Sequence, residues 1–272
     1  DTRALTVKLR REGSMKGGLS TTEPNPERLR ARVKAVPSIV GADFVKAVTC
    51  AKPYEWPLKT SAECRVQSAE LSSGTLVTVK YHIVVIDYGV KYNILRQLAR
   101  LGCYVNVVPA VMPAGEILAM KPDGVVLSNG PADPAAVTYG IETIRGLIGR
   151  VPMLGICLGH QLLGLAFGGR TFKLKFGHHG GNHPVKDLAT GNVAITTQNH
   201  GFAVDVDSIS DKRVVLTHLN LNDRTVEGMC HTELPIFSLQ YHPEAAPGPH
   251  DARYLFQRFL DLLDHSTPAA VG

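Results

Sequence analysis

Val151-Pro152-Met153-Leu154-Gly155-Ile156-Cys157-Leu158-Gly159-His160-Gln161 is the stretch from which the rest of the chain can be read. Val151 to Ile156 is a short apolar run of strand character. Leu158, Gln161, Leu162, Leu163 and Leu165 to Phe167 then follow a helical pattern. Cys157 stands at the junction, with Gly155 and Gly159 two residues away on either side. Small flanking residues let the backbone bend sharply and push one side chain clear of the sheet, as in a nucleophile elbow. A thiol so placed sits at a helix N-terminus, where the dipole and free N–H groups favour thiolate over thiol. The N–H of Leu158 is free to face a developing oxyanion. A lone cysteine is more often a small apolar filler; the glycine frame and the strand-to-helix setting favour the chemical reading here.

A nucleophilic cysteine needs a base, and the base needs an orienting group. Pro235-Ile236-Phe237-Ser238-Leu239-Gln240-Tyr241-His242-Pro243-Glu244 is a second buried-strand run and ends in His-x-Glu. If the strand continues through it, period-two alternation points His242 and Glu244 the same way. From Thr75 onward strand and helix alternate. The strand candidates are 80–87, 104–109, 124–128, 152–156 and 235–241. The helix candidates are 91–101, 114–120, 137–148, 158–167 and 249–264. Unbroken apolar runs such as Ile83-Val84-Val85-Ile86 suit strands buried on both faces. The expected fold is α/β: an open, mostly parallel sheet with right-handed crossovers, helices on both faces, and ligands beyond the carboxyl ends of the strands. Segments 170–175, 193–198, 213–219 and 225–231 read as shorter antiparallel strands inserted before the last parallel one. Helices are expected near Leu5–Leu9 and from Pro26 to Val36, with a further turn at 43–48. Residues 49–73, with Pro53 and Pro57, read as linker.

Gly155-Ile156-Cys157-Leu158-Gly159-His160-Gln161 followed by His242-Pro243-Glu244 resembles the class I glutamine amidotransferases, a flavodoxin-like α/β family. The tracts Lys175-Phe176-Gly177-His178-His179-Gly180-Gly181-Asn182-His183-Pro184-Val185 and Gln198-Asn199-His200-Gly201-Phe202-Ala203-Val204 are similar to the small, glutamine-hydrolysing subunits of carbamoyl-phosphate synthase. The resemblance implies a catalytic triad of Cys157, His242 and Glu244, and a thioester intermediate. It implies that Gly130, Ala132, Leu158, Gln161, Asn199, Gly201 and Phe202 bind glutamine. Gly130 and Ala132 lie in the turn-rich loop Ser128-Asn129-Gly130-Pro131-Ala132-Asp133-Pro134. Relatives usually have glycine where this chain has Ala132, and a Cβ costs about 1 kcal/mol if that position needs φ > 0. The resemblance also implies a large synthetase subunit as partner. That subunit takes the ammonia and uses ATP and Mg to make carbamoyl phosphate for arginine and pyrimidine synthesis. By the same resemblance residues 1–74 are the end of a smaller N-terminal domain plus linker, 75–265 the amidotransferase domain, and 266–272 a tail. A serine that helps bind glutamine in the family's N-terminal domain has no counterpart here. Three other readings share the elbow: the glutaminase part of another amidotransferase, a γ-glutamyl hydrolase, and a catalytically impaired regulatory module.

Composition narrows the classes further. A hydrophobic content of 44% and a charged content of 19% are those of an ordinary globular protein. The net charge of +5 comes without a basic block interleaved with aromatics, so no nucleic-acid partner is expected. The densest basic run, 28–34, reads as a solvated helix face or a patch for an acidic partner rather than a DNA site. Five cysteines (Cys50, Cys64, Cys103, Cys157, Cys230) without close spacing point to a reducing compartment rather than a disulfide framework. No apolar run approaches the ~18 residues of a membrane span. The expected location is the cytoplasm, or the chloroplast stroma for a plant or algal source. No G-x-x-x-x-G-K-[ST] loop is present, which fits ATP being bound by the partner. His178, His179 and His183 invite a metal reading, but no neighbouring cysteine or carboxylate completes a set, so no metal and no cofactor is expected in this chain. The glycines among them suggest a loop that shields the active site or packs on a partner.

Overall fold

The computed structural model describes residues 1–57 and 79–266. The N-terminal segment carries helices α1 (Thr2–Glu12), α2 (Pro26–Ala35) and α3 (Val45–Val48). Asn25 caps α2 by accepting from the amides of Glu27 and Arg28, and Pro26 occupies the first turn, where its missing N–H is not needed. Strand β1 (Tyr54–Trp56) follows. This strand lies in the stretch expected to be linker: its three residues pair antiparallel with the edge of the sheet, a long-range contact that local composition does not encode. The rest of that expected linker, and Cys64 with it, falls largely outside the described residues.

The parallel core is built from β2 (Tyr81–Asp87), α4 (Tyr92–Arg100), β3 (Cys103–Pro109), α5 (Ala114–Ala119), β4 (Gly124–Leu127), α6 (Thr138–Leu147), β5 (Met153–Ile156) and α7 (Leu158–Ala166). An antiparallel insertion of β6 (Arg170–Asp187), β7 (Val193–Asp205), β8 (Val214–Asn220) and β9 (Val226–His231) precedes the last parallel strand β10 (Ile236–Leu239) and the last helix α8 (Tyr254–Ser266). Among the described residues the strands form one sheet of ten in the order β1-β3-β2-β4-β5-β10-β9-β8-β6-β7. β3, β2, β4, β5 and β10 are mutually parallel.

Alternate residues of the parallel strands feed two separate cores, as the pleat requires. Val84, Ile86, Val125, Leu127 and Met153 pack on one face against Ile117 of α5, Ile144 and Leu147 of α6, and Leu158, Leu162 and Leu163 of α7. Ile83, Val85, Val126, Leu154 and Ile156 pack on the other against Ile94, Leu95 and Leu98 of α4 and Leu255, Phe256 and Phe259 of α8. The unbroken apolar runs are thus two interleaved core faces. Among the described residues no helix is long and apolar enough to cross a membrane.

Three expectations need correction. β6 runs for 18 residues, so the segment His178–His183 is paired strand rather than a loop. Register shifts between Lys173 and His178 and between Gly180 and His183 let Gly177 (φ 73°) and Gly180 (φ 112°) adopt the left-handed region without ending the ladder. The last parallel strand stops at Leu239, short of Tyr241, because Gln240 and His242 leave the β5 ladder for Glu227 O and Thr197 O. The last helix starts at Tyr254 rather than Pro249, after a turn at 251–253.

Candidate active site

Cys157 sits directly after β5, with φ 54° and ψ −102°. A non-glycine residue in this region carries about 1–3 kcal/mol of strain, which surrounding contacts must hold. Here the Cys157 N–H donates to Leu239 O at 2.8 Å, and the Gly159 N–H donates to Ser128 O at 3.1 Å. The elbow is thereby tied to the strand ends on both sides of β5. The two flanking glycines serve close approach rather than positive φ. A Cβ on Gly155 would lie 2.9 Å from the Gly159 carbonyl, and one on Gly159 would lie 2.2 Å from Leu127 O.

His242 reaches the same rim from beyond β10, and its N–H donates to Thr197 O at 2.9 Å. Its Nδ1 meets Glu244 Oε1 at 2.8 Å, so the sequence pair is indeed joined. The joining differs in kind from strand alternation. Residues 242–245 form a turn, in which the Ala245 N–H donates back to His242 O at 3.2 Å and Ala245 has φ 53°. Cys157 and His242 line the same cavity, and the sulfur is close enough to act electrostatically on the ring. Burial alone would lower the His242 pKa. The charge of Glu244, the sulfur of Cys157 and their hydrogen bonds outweigh it and raise the pKa to about 10. Burial likewise pushes Glu244 up, but His242 and Lys91 hold it below the usual carboxylate range.

Lys91, at the mouth of α4, is a site residue that the sequence reading missed. Its Nζ lies 3.0 Å from Glu244 Oε1 and donates to Ala245 O at 3.0 Å. A lysine just past a parallel strand end was the available signal. Asn93 also donates its side-chain amide to Glu244 O.

These groups open into a cavity of about 820 Å³. Cys157, His242, Gly130, Ala132, Gln161, Asn199, Gly201 and Phe202 line it, and so do Ser14 and Ile39 from the N-terminal segment. Glu244 lies fully buried behind His242, and Leu158, whose side chain is in the core, is not among the residues lining the cavity. Gly130 passes so close to Tyr88 that a Cβ would lie 2.0 Å from its carbonyl oxygen. Ala132 is not among the residues with positive φ, so its methyl brings none of the strain considered above. Gln161 donates Nε2 to Phe202 O at 2.8 Å and to Gln240 Oε1 at 3.0 Å, which leaves Oε1 as the atom it can offer.

The histidine tract differs from its sequence reading. Tertiary structure supplies the carboxylates that the local sequence lacks: Glu227 from β9, and Asp223, whose Oδ2 lies 2.7 Å from His178 Nε2. Ligand-type atoms of His178, His200 and Glu227 fall within 4.8 Å of one another. Their donors and acceptors are engaged with protein partners. Glu227 Oε1 accepts from Asn220 Nδ2 and Oε2 from Gln198 Nε2, both at 2.8 Å. Both Glu227 oxygens are therefore satisfied by amide donors of the protein.

The His242–Glu244 pair makes a measurable prediction. A raised histidine pKa stabilises the fold fully below the unfolded value of about 6.5 and loses that contribution as pH rises toward about 10. A lowered glutamate pKa contributes above its unfolded value of about 4.3 and is lost as pH falls below it. The pair thus contributes most between those two unfolded values. The expected result of an NMR titration is a His242 ring that stays protonated well above neutral pH, with a midpoint that Glu244→Gln moves down by more than one pH unit. An unchanged midpoint in the variant refutes the pairing.

Comparison with known proteins adds a family. The model of the glutamine amidotransferase class-I family matches residues 84–262. The carbamoyl phosphate synthase small chain of Syntrophotalea carbinolica is 54% identical over 267 residues, covering 97% of this chain and 69% of its own length. The chloroplastic carbamoyl phosphate synthase small chain of Oryza sativa is 48% identical over 266 residues, covering 98% of this chain and 58% of its own. The chain thus spans 69% and 58% of the length of these two curated relatives. A solved Thermoplasma acidophilum protein, provisionally assigned to GMP synthase, aligns with a TM-score of 0.59 at 25% identity, covering 68% of this chain and 94% of its own.

Proposed function

The chain belongs to the class I glutamine amidotransferases, in the family of carbamoyl phosphate synthase small chains, and on that premise we propose that it hydrolyses L-glutamine and passes the ammonia to a large synthetase subunit. The observation that carries this reading is the strained Cys157, which shares one cavity with the buried His242–Glu244 pair. In the proposed cycle the Cys157 thiolate attacks the side-chain amide carbon of glutamine. The tetrahedral oxyanion faces the Leu158 N–H and the loop at Gly130. The His242 imidazolium gives its proton to the nitrogen, the C–N bond breaks, and ammonia leaves a γ-glutamyl thioester on Cys157. Water then gives a proton to His242 and adds to the thioester, and the C–S bond breaks to release glutamate. Glu244 orients the ring throughout, and Lys91 offsets its charge.

Asn199, Gly201 and Phe202, on one segment of β7, present backbone groups suited to the α-amino and α-carboxylate groups of glutamine. Main-chain donors and acceptors are already fixed and cost little ordering entropy. We assign ATP, Mg and bicarbonate to the large subunit, and carbamoyl phosphate for arginine and pyrimidine synthesis to the assembled pair. In a plant or algal source the location proposed is the chloroplast stroma, otherwise the cytoplasm. The test is glutamate release from glutamine by this chain, with and without a carbamoyl phosphate synthase large chain. Turnover that rises with the large chain and yields carbamoyl phosphate supports the proposal. Turnover of γ-glutamyl peptides that ignores the large chain favours a hydrolase instead.

A further inference from the structure

Behind the β7 segment that lines the cavity lies a buried carboxylate with no part in the cycle above. Glu227 is fully buried. Each of its oxygens accepts from a side-chain amide, Oε1 from Asn220 and Oε2 from Gln198. His178 stands beside it, with Nδ1 at 3.5 Å from Oε1 and Nε2 on Asp223. Burial pushes the His178 pKa down, but the two carboxylates outweigh it and hold the ring toward its charged form, which offsets the charge of Glu227.

The directions of these hydrogen bonds propagate. A carboxylate only accepts, so Gln198 must turn its Nε2 toward Glu227 and its Oε1 the other way. That Oε1 meets His200 Nε2 at 2.9 Å, while His200 Nδ1 meets Phe202 O at 2.7 Å. Both ring nitrogens of His200 therefore face oxygen acceptors. Left to itself the Gln198 amide could flip and offer a donor to the ring; Glu227 forbids the flip. Burial holds His200 neutral, with its pKa pushed down to about 3, so its one ring N–H serves only one of the two oxygens. The sense fixed by Glu227 therefore reaches the Gln198 amide, itself part of the β7 segment, and ends at His200. Phe202 O is also the acceptor for Gln161.

We propose that Glu227 is a positioning residue for glutamine: by fixing the side-chain amide of Gln198, it holds the 198–202 backbone that receives the substrate's α-amino and α-carboxylate groups. The inference rests on the glutaminase reading above. It assigns Glu227 to binding rather than to bond breaking.

Glu227→Gln removes the acceptor-only character while keeping the shape. One of the new amide hydrogens must then confront a donor on Gln198 or Asn220. The expected result in the full chain is a KM for glutamine raised roughly tenfold or more, with kcat within about threefold. Alkylation of Cys157 by iodoacetamide, which lacks the α-groups, keeps its wild-type rate. The exchange Asn220→Asp with Glu227→Gln puts the carboxylate on the other side of the pair. The amide introduced at position 227 then donates to residue 220 and accepts from Gln198, and the KM returns to within about threefold of wild type. A wild-type KM in the single variant overturns the proposal. So does a parallel loss of KM, alkylation rate and melting temperature that the exchange does not restore, since that marks a purely structural residue. If the parent chain does not hydrolyse glutamine, the glutaminase reading fails on its own. The role of Glu227 is then read from the calorimetric Kd for glutamine in a Cys157→Ser background, where Glu227→Gln is expected to weaken binding by the same factor and equal affinity overturns it.

Discussion

Cys157→Ser lowers glutamine hydrolysis by at least about a thousandfold and moves the melting temperature by only a few degrees. The size follows from the chemistry. A serine hydroxyl at this position is far less acidic than a thiol, and His242 is held protonated by Glu244, so it is poorly placed to take a further proton. The sulfur is also one of the groups that raise His242, so its loss shifts the proton donor together with the nucleophile. The fold is expected to survive because serine accepts the same backbone geometry at similar strain, and because the tie from the residue 157 N–H to Leu239 O involves no side chain. The measurement is glutamate release over time, with circular dichroism melting on the same samples. Equal hydrolysis by variant and parent removes Cys157 from the chemistry. A collapsed melt in the variant shows that the thiol serves packing instead.

Gly159→Ala is expected to destabilise the protein by about 2–4 kcal/mol, lowering the melting temperature by roughly 5–15 °C, and to suppress hydrolysis in whatever remains folded. Alanine is the better helix former, so local propensity predicts the opposite sign. Packing overrides it. The added Cβ would stand 2.2 Å from Leu127 O and 2.6 Å from Leu127 Cβ, in the contact where α7 crosses β4. Neither atom is the free end of a flexible side chain. The start of α7 must therefore lift off the sheet, which breaks the bond from the Gly159 N–H to Ser128 O and displaces Cys157 from His242. Thermal melts of the two proteins decide the sign. A variant as stable as the parent shows that α7 can slide, and the rigid elbow loses its support.

Both expectations concern residues whose importance is written in the local sequence, and the same holds for most of the parallel core. Ile83-Val84-Val85-Ile86 is apolar at every position, which requires burial on both faces, and the residues do divide between two cores. The position of the bend at Cys157 is equally local, marked by the glycines two residues to either side, although its strained backbone is held by contacts to Leu239 and Ser128. The antiparallel insertion was less legible. Gly177, Gly180 and Gly181 resemble a loop in sequence, yet bulges let β6 continue through them, because β7 offers backbone partners from His200 opposite His178 to Gln198 opposite Gly180. β1 is invisible for the same reason: three residues become a strand only because β3 presents an open edge.

Periodicity and backbone freedom within a few residues are enough to set the alternation of strand and helix and the sharp turn that lifts one thiol out of the sheet. They also space a histidine and a glutamate to act together. Three features arise only on folding. His242 and Glu244 meet through a turn pinned to Thr197, Lys91 from a distant helix completes the charge around Glu244, and Glu227 stands behind Gln198 and His200. Such pairings join residues dozens to more than a hundred positions apart. A charge acquires its partner only when folding excludes water and brings the two together, and neighbours along the chain carry no record of that event.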